Sequence, residues 1–286
     1  MKVSIVTVVF NSVSVIEETI LSVIYQKNAS LEYIVIDGNS TDGTQNIISK
    51  YIHHINVFIS EPDKGIFDAM NKSLKYVTGE YVIFLNAGDK FVNNHVLSDV
   101  FQNYNFDDEL IYGDTYFENE LGFILQKSNA IYVHNPTKKD LIFKSQGFCH
   151  QSLFTKASRL KEILFNLDYP IGADYDTTAR IYFTGNRKIR YVKQAISVFD
   201  DRFGGASHNK IGVVLDERYI MFDYKNRYDF LLRKYLYIYK LYIKNILHYL
   251  FPNMVKKYRQ RKYITSNPQL SSSASFLRLN VLSSLN

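Results

Sequence analysis

Within the first hundred residues, four short β-branched runs each end in a polar turn cluster, in strand–loop–helix succession. Residues 2–10 read as a strand closed by Asn11. A helix is expected from Ser14, with Glu17 completing a capping box and Ile16, Ile20, Leu21 and Ile24 at helical spacing. The second strand, 33–36, ends at Asp37 and the loop 38–43, ahead of a helix through Ile47 and Ile48. The third, 57–59, ends in Glu61-Pro62-Asp63-Lys64-Gly65 before a helix over 66–76, and the fourth, 81–85, ends in Asn86-Ala87-Gly88-Asp89. This succession predicts an α/β fold: a Rossmann-like, mostly parallel sheet joined by right-handed crossovers, with helices on both faces. In such sheets ligands bind beyond the carboxyl ends of the strands, where Asn11, Asp37, Asp42, Asp63 and Asp89 gather. Asp is a common turn residue, but four such loops at one edge predict a shared site.

After residue 105 the pattern loosens. Strands are expected at 110–112, 115–126, 146–154 and 189–199, with a helix over 174–183 and a loop at 201–207 leading into helical sequence. No internal repeat is present. The chain of 286 residues suits one large α/β domain with an appendage, or two small domains. Cys149 is the single cysteine, which excludes an internal disulfide and a cysteine-rich zinc cage; it is expected as a small buried apolar residue. The apolar run 3–10 is too short for a secretory signal, and no stretch reaches the roughly 18 apolar residues of a membrane span.

Charge divides the chain. Residues 230–286 hold ten Lys and Arg and no acidic residue, leaving 24 basic against 28 acidic residues before them. From 233 to 248 the basic side chains Arg233, Lys240, Lys244 and His248 form a helical stripe, opposite Tyr235, Ile238, Tyr239, Tyr242, Ile246 and Tyr249. That pattern predicts a helix lying on an anionic membrane surface through residues 230–262; packing on the chain's own domain is the alternative, and nucleic acid is not an expected partner. The acid-free, Ser-rich stretch from 263 to 286 is expected to be poorly ordered.

Three familiar signatures are missing: a Gly-x-Gly-x-x-Gly after strand one, a Walker phosphate loop, and a Gly-x-Ser-x-Gly elbow. What remains are the carboxylates and the segments around them. These segments are Ser4 to Asn11, Glu32 to Thr44, Asp63 to Lys72, Gly79 to Asp89, and Gly172-Ala173-Asp174-Tyr175-Asp176 with Arg180. In this order they resemble the family-two glycosyltransferases of GT-A fold, within them the bacterial polysaccharide-assembly branch, over about residues 3–205.

The resemblance implies an inverting glycosyltransferase that moves a sugar from a nucleoside-diphosphate donor, a UDP-sugar, to an undecaprenyl-diphosphate-linked glycan such as an O-antigen or capsule precursor. The work would be done at the cytoplasmic face of the membrane. It implies a catalytic domain over 1–210 (nucleotide-binding half 1–105, acceptor half 106–210) and a helical basic and aromatic extension over 211–262. Asp174 would be the base that takes the acceptor's proton. Phe10, Asn11, Asp37 and Asp63 would hold the nucleoside, with Asn86 beside the diphosphate. Asp42 would cap a helix or touch ligand. Lys72 would reach a phosphate or lie on a solvated helix face. Arg180 would pair with a carboxylate or the diphosphate, and Asp176 would serve the helix start. Asn86-Ala87-Gly88-Asp89 stands where the family carries Asp-x-Asp, so a divalent ion (Mn2+ or Mg2+) would rest on Asp89, with His150 as a further ligand or a core histidine. Gly204-Gly205-Ala206-Ser207 would close over the donor. A sugar-1-phosphate nucleotidyltransferase and a non-catalytic nucleotide-sugar binder are the competing readings.

Overall fold

The computed structural model describes residues 1–102, 107–119, 122–202 and 210–251. The loop 204–207, the basic residues beyond 251, the Ser-rich stretch 263–286 and the side chain of His248 lie outside the described residues.

The chain runs β1 (Lys2–Val9), α1 (Ile16–Ile24), β2 (Ser30–Asp37), α2 (Thr44–Lys50), β3 (Val57–Ser60), α3 (Ile66–Ser73), β4 (Tyr81–Phe84), β5 (Lys90–Phe91) and α4 (Val96–Phe101). It continues with β6 (Leu110–Asn119), β7 (Gly122–Gln126), α5 (Lys138–Phe143), β8 (Leu153–Lys156), α6 (Ala157–Ile163), α7 (Ala173–Thr184), β9 (Ile189–Asp200), α8 (Ile211–Met221) and α9 (Arg227–Leu250). All nine strands of the described residues form one sheet in the order β3-β2-β1-β4-β8-β6-β9-β5, with β7 paired to β6 beside this path.

The first four strands are parallel to one another, as their spacing predicts. Beyond β4 the sheet is mixed: β8 joins β4 and β6 antiparallel, β6 and β9 are parallel, and β5 and β7 are antiparallel to their partners. The period-two alternation of the central strands builds a core on each face. Val6, Val8, Ile34, Ile36 and Phe84 face α3, while Ile5, Tyr33, Val35 and Ile83 face α1 and α4.

Several expected boundaries move. The stretch 115–126 is a hairpin, not one strand, because the chain reverses ahead of Gly122. Residues 150–152 form a turn of 3-10 helix, so of the expected strand 146–154 only Leu153 and Phe154 pair in the sheet, as the start of β8 (Leu153–Lys156). The capping box at Ser14 does not form. The Ser12 carbonyl takes the amides of Val15 and Ile16, and Glu17 accepts the Tyr51 hydroxyl at 2.7 Å instead.

Gly79 marks where the β4 entry passes closest to β1. A Cβ there would lie 2.7 Å from the Ser4 nitrogen and 2.9 Å from the Lys2 carbonyl, both backbone atoms that cannot step aside. Gly79→Ala is therefore expected to cost about 1–3 kcal/mol, read as an earlier midpoint in urea unfolding. An unchanged midpoint would mean the two strands part more easily than their packing indicates.

Helix α8 is integral to the fold. Leu215 packs with Ile142 of α5 and Phe230 of α9, and Arg218 lies 3.9 Å over the Tyr175 ring of α7. Helix α9 is attached by its first two turns through Phe230 and the Lys234–Asp216 ion pair. Beyond them Tyr235, Tyr239 and Tyr242 are each more than 60% exposed. Among the described residues no helix is long and apolar enough to cross a membrane.

Candidate active site

The carboxyl ends of β1 and β4, the start of α3, the turn before β8, the end of β9 and the start of α7 surround one cleft of about 800 Å³. At its outer end the first two loops are stitched together. Asn11, in the left-handed region at φ 46°, donates its amide to Ser40 Oγ (2.8 Å) and accepts the Thr41 amide through Oδ1 (2.9 Å). Asparagine tolerates that backbone better than most residues. Asp42 accepts the Val13 and Thr44 amides at 3.0 Å, so it secures the start of α2 and turns away from the cleft.

Asp37 is fully buried between neighbouring strands, and its carboxylate accepts the Ser40 amide and hydroxyl and the Ser60 hydroxyl. It shapes the second loop and does not open on the cleft. Asp63 is better placed. Gly38 has no side chain, and a Cβ there would lie 2.5 Å from Asp63 Oδ2 and 3.3 Å from the Phe10 ring. Phe10 is 61% exposed, a large ring left uncovered at a strand end beside this carboxylate. Phe10, Gly38 and Asp63 thus form a small platform with one aromatic face and one acceptor.

The middle of the cleft carries Asn86, Asp89 and Asp200. Asp89 is almost wholly buried, accepts the Asp200 amide at 3.2 Å and is hydrogen-bonded by Gln151. Burial dominates, and its carboxyl is pushed up to about 7. Asp200 ends β9 beside Gly88, whose φ of 101° and missing side chain admit it: a Cβ there would stand 3.1 Å from Asp200 Oδ2. Burial raises the Asp200 carboxyl, but the Arg202 guanidinium, at 2.8 Å from both of its oxygens, outweighs that and holds it below the usual range. Asn86 Oδ1 is buried and has no hydrogen-bond partner.

At the inner end Asp174 sits in the first turn of α7 and lines the cleft; among the described residues its carboxylate has no hydrogen-bonding partner. His150 stacks on Phe84 (centroids 5.6 Å apart) and meets Phe165 edge-on, with Nε2 shielded and unpartnered. Burial lowers its proton affinity and nearby Asp174 raises it, with a net decrease. Cys149 is half-buried at the cleft wall, not in the core, with its thiol donating to Gln151 at 2.7 Å.

Three of the expected residues have surroundings of their own. Lys72 bonds the Pro62 carbonyl at 2.7 Å and Glu61 at 3.0 Å, bracing the third loop. Arg180 pairs with Asp176 at 2.6 Å, the carboxylate pairing expected as one of its two roles, and donates to the Ile163 and Leu164 carbonyls. His150 sits in an aromatic slot between Phe84 and Phe165, and among the described residues no three His, Cys, Asp or Glu side chains converge to hold an ion.

The described lining holds Asp89, Asp174, Asp200 and Asp201 and no Lys or Arg. The model of glycosyl transferase family 2 matches residues 4–164, more than half of the chain. The chain belongs to this family. It is a glycosyltransferase.

Two relatives illustrate the family likeness. A Mycobacterium bovis "PGL/p-HBAD biosynthesis glycosyltransferase" is 26% identical over 211 residues, 72% of this chain and 78% of the relative. TuaG of Bacillus subtilis, named for teichuronic acid biosynthesis, is 38% identical over 92 residues, 31% of this chain and 36% of TuaG. S. aureus TarS 1–349 with UDP-GlcNAc superposes with a TM-score of 0.61 at 20% identity, over 77% of this chain and 66% of that one. Glucosyl-3-phosphoglycerate synthase of Mycobacterium tuberculosis, with Mn2+ and UDP, gives 0.53 at 15% identity, over 77% and 78%. At these identities the two structures show the GT-A fold.

Sequence reading missed Asp200, Gln151 and Glu217. Asp200 was visible as a carboxylate at a strand end, one residue past the expected strand. Gln151 and Glu217 carried no signal, because their roles arise from turns and helices brought together only in the fold.

Proposed function

We propose that this family 2 enzyme inverts the sugar of a UDP-sugar as it transfers it to an undecaprenyl-diphosphate-linked glycan during surface polysaccharide assembly. The observation that carries the reading is the Asp174 carboxylate, unencumbered in a cleft whose lining includes Asn11, with Phe10 and Asp63 close together at Gly38. Residues 1–105 would hold the nucleotide, with Phe10 against the base and Asp63 on the nucleoside, and residues 106–210 would face the acceptor. Asp174 takes the proton of the acceptor hydroxyl. The freed oxygen bonds to the anomeric carbon as the bond to the diphosphate breaks on the opposite face, and UDP leaves with that electron pair. UDP and UDP-sugar in structural neighbours, and the polymer and glycolipid names of the relatives, support the donor and acceptor classes.

A divalent cation suits the donor set. Two carboxylates, Asp89 and Asp200, and the orphaned Asn86 Oδ1 offer hard oxygens, and Mg2+ or Mn2+ commonly completes its shell with substrate phosphates and water. When bound, the ion neutralises charge on the departing diphosphate. The Mn2+ of the synthase structure supports this reading.

The test is nucleotide release from UDP-glucose, UDP-galactose, UDP-N-acetylglucosamine and GDP-mannose with water as acceptor. UDP release from at least one UDP-sugar is expected. Tight UDP binding without release from any of them would favour a non-catalytic binder.

The exposed face of α9, Tyr228, Leu232, Tyr235, Tyr239 and Tyr242 at alternating spacings of four and three, continued by half-buried Ile246, is suited to the headgroup depth of the cytoplasmic leaflet. Lys240 and Lys244 flank it, whereas Arg233 and Lys234 are tied to Asp229 and Asp216. The full chain should co-sediment with phosphatidylglycerol vesicles and not with neutral phosphatidylcholine vesicles. Lys240→Glu with Lys244→Glu should abolish this. Sedimentation indifferent to lipid charge, or none, would remove the membrane from the account.

A further inference from the structure

We propose that Glu217, on α8, is a positioning residue for Asp174: its carboxylate caps the first turn of α7 from outside the helix and fixes how Asp174 enters the cleft. The inference rests on reading Asp174 as the base.

The first amides of any helix lack intrahelical partners, and a side chain at the N-cap usually serves one of them. In α7 the N-cap is Gly172, which has no side chain to offer. Glu217, 45 residues further on and buried, takes that place, accepting the Gly172 amide at 2.7 Å and the Ile171 amide at 3.3 Å. The bare α-carbon of Gly172 is what admits it: a Cβ would stand 2.8 Å from Glu217 Oε2 and 3.0 Å from Met221 Cε. Ile171 and Asp174 both line the cleft, so the capped turn is also the cleft wall. Asp174 has no hydrogen-bond partner of its own among the described residues, and its direction is inherited from this turn.

The support is itself held on both sides. Arg218 lies over the Tyr175 ring and donates to the Lys144 carbonyl at 2.9 Å, while Asp216 is paired with Lys234 of α9. Keeping a carboxylate here works against stability. Burial raises Glu217 above the usual carboxylate range and Asp174 adds to this, against the lowering by the two amides and Arg218. The raised value means that the ionised form is disfavoured by folding, so stability is lost as pH rises through it. A neutral acceptor would serve the fold alone at lower cost.

Three variants separate positioning from mere stability. Glu217→Gln keeps an acceptor oxygen, Glu217→Ala keeps none, and Gly172→Ala leaves the charge in place but drives it off the turn. For each, kcat and KM are measured as UDP release from the three UDP-sugars named above, beside the thermal midpoint. Glu217→Ala and Gly172→Ala should lose about 10- to 100-fold in kcat with donor KM little changed. Glu217→Gln should recover much of that loss while melting no lower than the wild type at pH 8. Wild-type kcat in Glu217→Ala and Gly172→Ala would overturn the inference, as would rates that fall only in step with the melting temperature. Asp174→Asn, run alongside, distinguishes the two failures. If it is inactive and Glu217→Ala is not, only the role of Glu217 is lost; if it is active, the reading of the base fails first.

Discussion

Asp174→Asn should remove sugar transfer while leaving UDP binding and the fold in place. Asparagine matches aspartate in shape but cannot take a proton from the acceptor, and loss of a general base typically costs about 10²- to 10⁴-fold. The backbone carbonyl of residue 174, which receives the Thr178 hydroxyl at 2.9 Å, is untouched. The helix start keeps Asp176 as its negative charge, so the dipole loses at most about 1 kcal/mol. Asp176→Asn is the matching control with the opposite expectation. It weakens the pairing of buried Asp176 with partly exposed Arg180, so it should lower the melting temperature and leave kcat per folded molecule close to wild type. Should Asp176→Asn be the inactive variant and Asp174→Asn the active one, the base is misassigned.

Asp89→Asn should weaken Mn2+-assisted UDP binding by about 100-fold or more, since it removes the most buried charge available to the ion. The same change should stabilise the metal-free protein at high pH. In the fold the Asp89 carboxyl sits at about 7 against an ordinary value of 3.8, raised mainly by burial. A group raised in this way contributes stability that is present below about pH 4 and is lost as pH climbs through 7. For a shift of this size the loss is up to about 4 kcal/mol. Metal-free wild type should therefore melt lower at pH 8 than at pH 5 by more than Asp89→Asn does. Adding Mn2+ and UDP should reverse the order at pH 8, because binding requires the ionised carboxylate and releases its proton. Identical pH dependence of melting in the two proteins would contradict the burial of Asp89.

The parallel half of the sheet was legible because β1 to β4 are short β-branched runs, each closed by turn residues, and those local signals coincide with the global topology. The second half was less legible. Its strands β6 to β9 depend on long-range pairing, its reversal at Gly122 has no strong turn dipeptide, and the two-residue strand β5 gains its place only from β9. The site divides in the same way. Asp63, Asp89 and Asp174 were found from motif position and do line or flank the cleft. Asp37 and Lys72 stand at equally motif-like positions, yet in the fold they brace loops, while Asp42 and Arg180 take the capping and carboxylate-pairing roles that stood open beside ligand contact. A one-dimensional pattern gives the type and neighbourhood of a charged residue but not the partner that consumes its charge. Asp200 shows the converse: only the antiparallel pairing of β5 with β9 brings it beside Asp89.

The most direct measurement is calorimetric titration of the folded protein with UDP, and with GDP as control, each with and without Mn2+. Expected is UDP binding that Mn2+ tightens, with GDP markedly weaker. Binding of neither nucleotide by folded protein, at any Mn2+ concentration, would contradict the assignment of this cleft to a UDP-sugar.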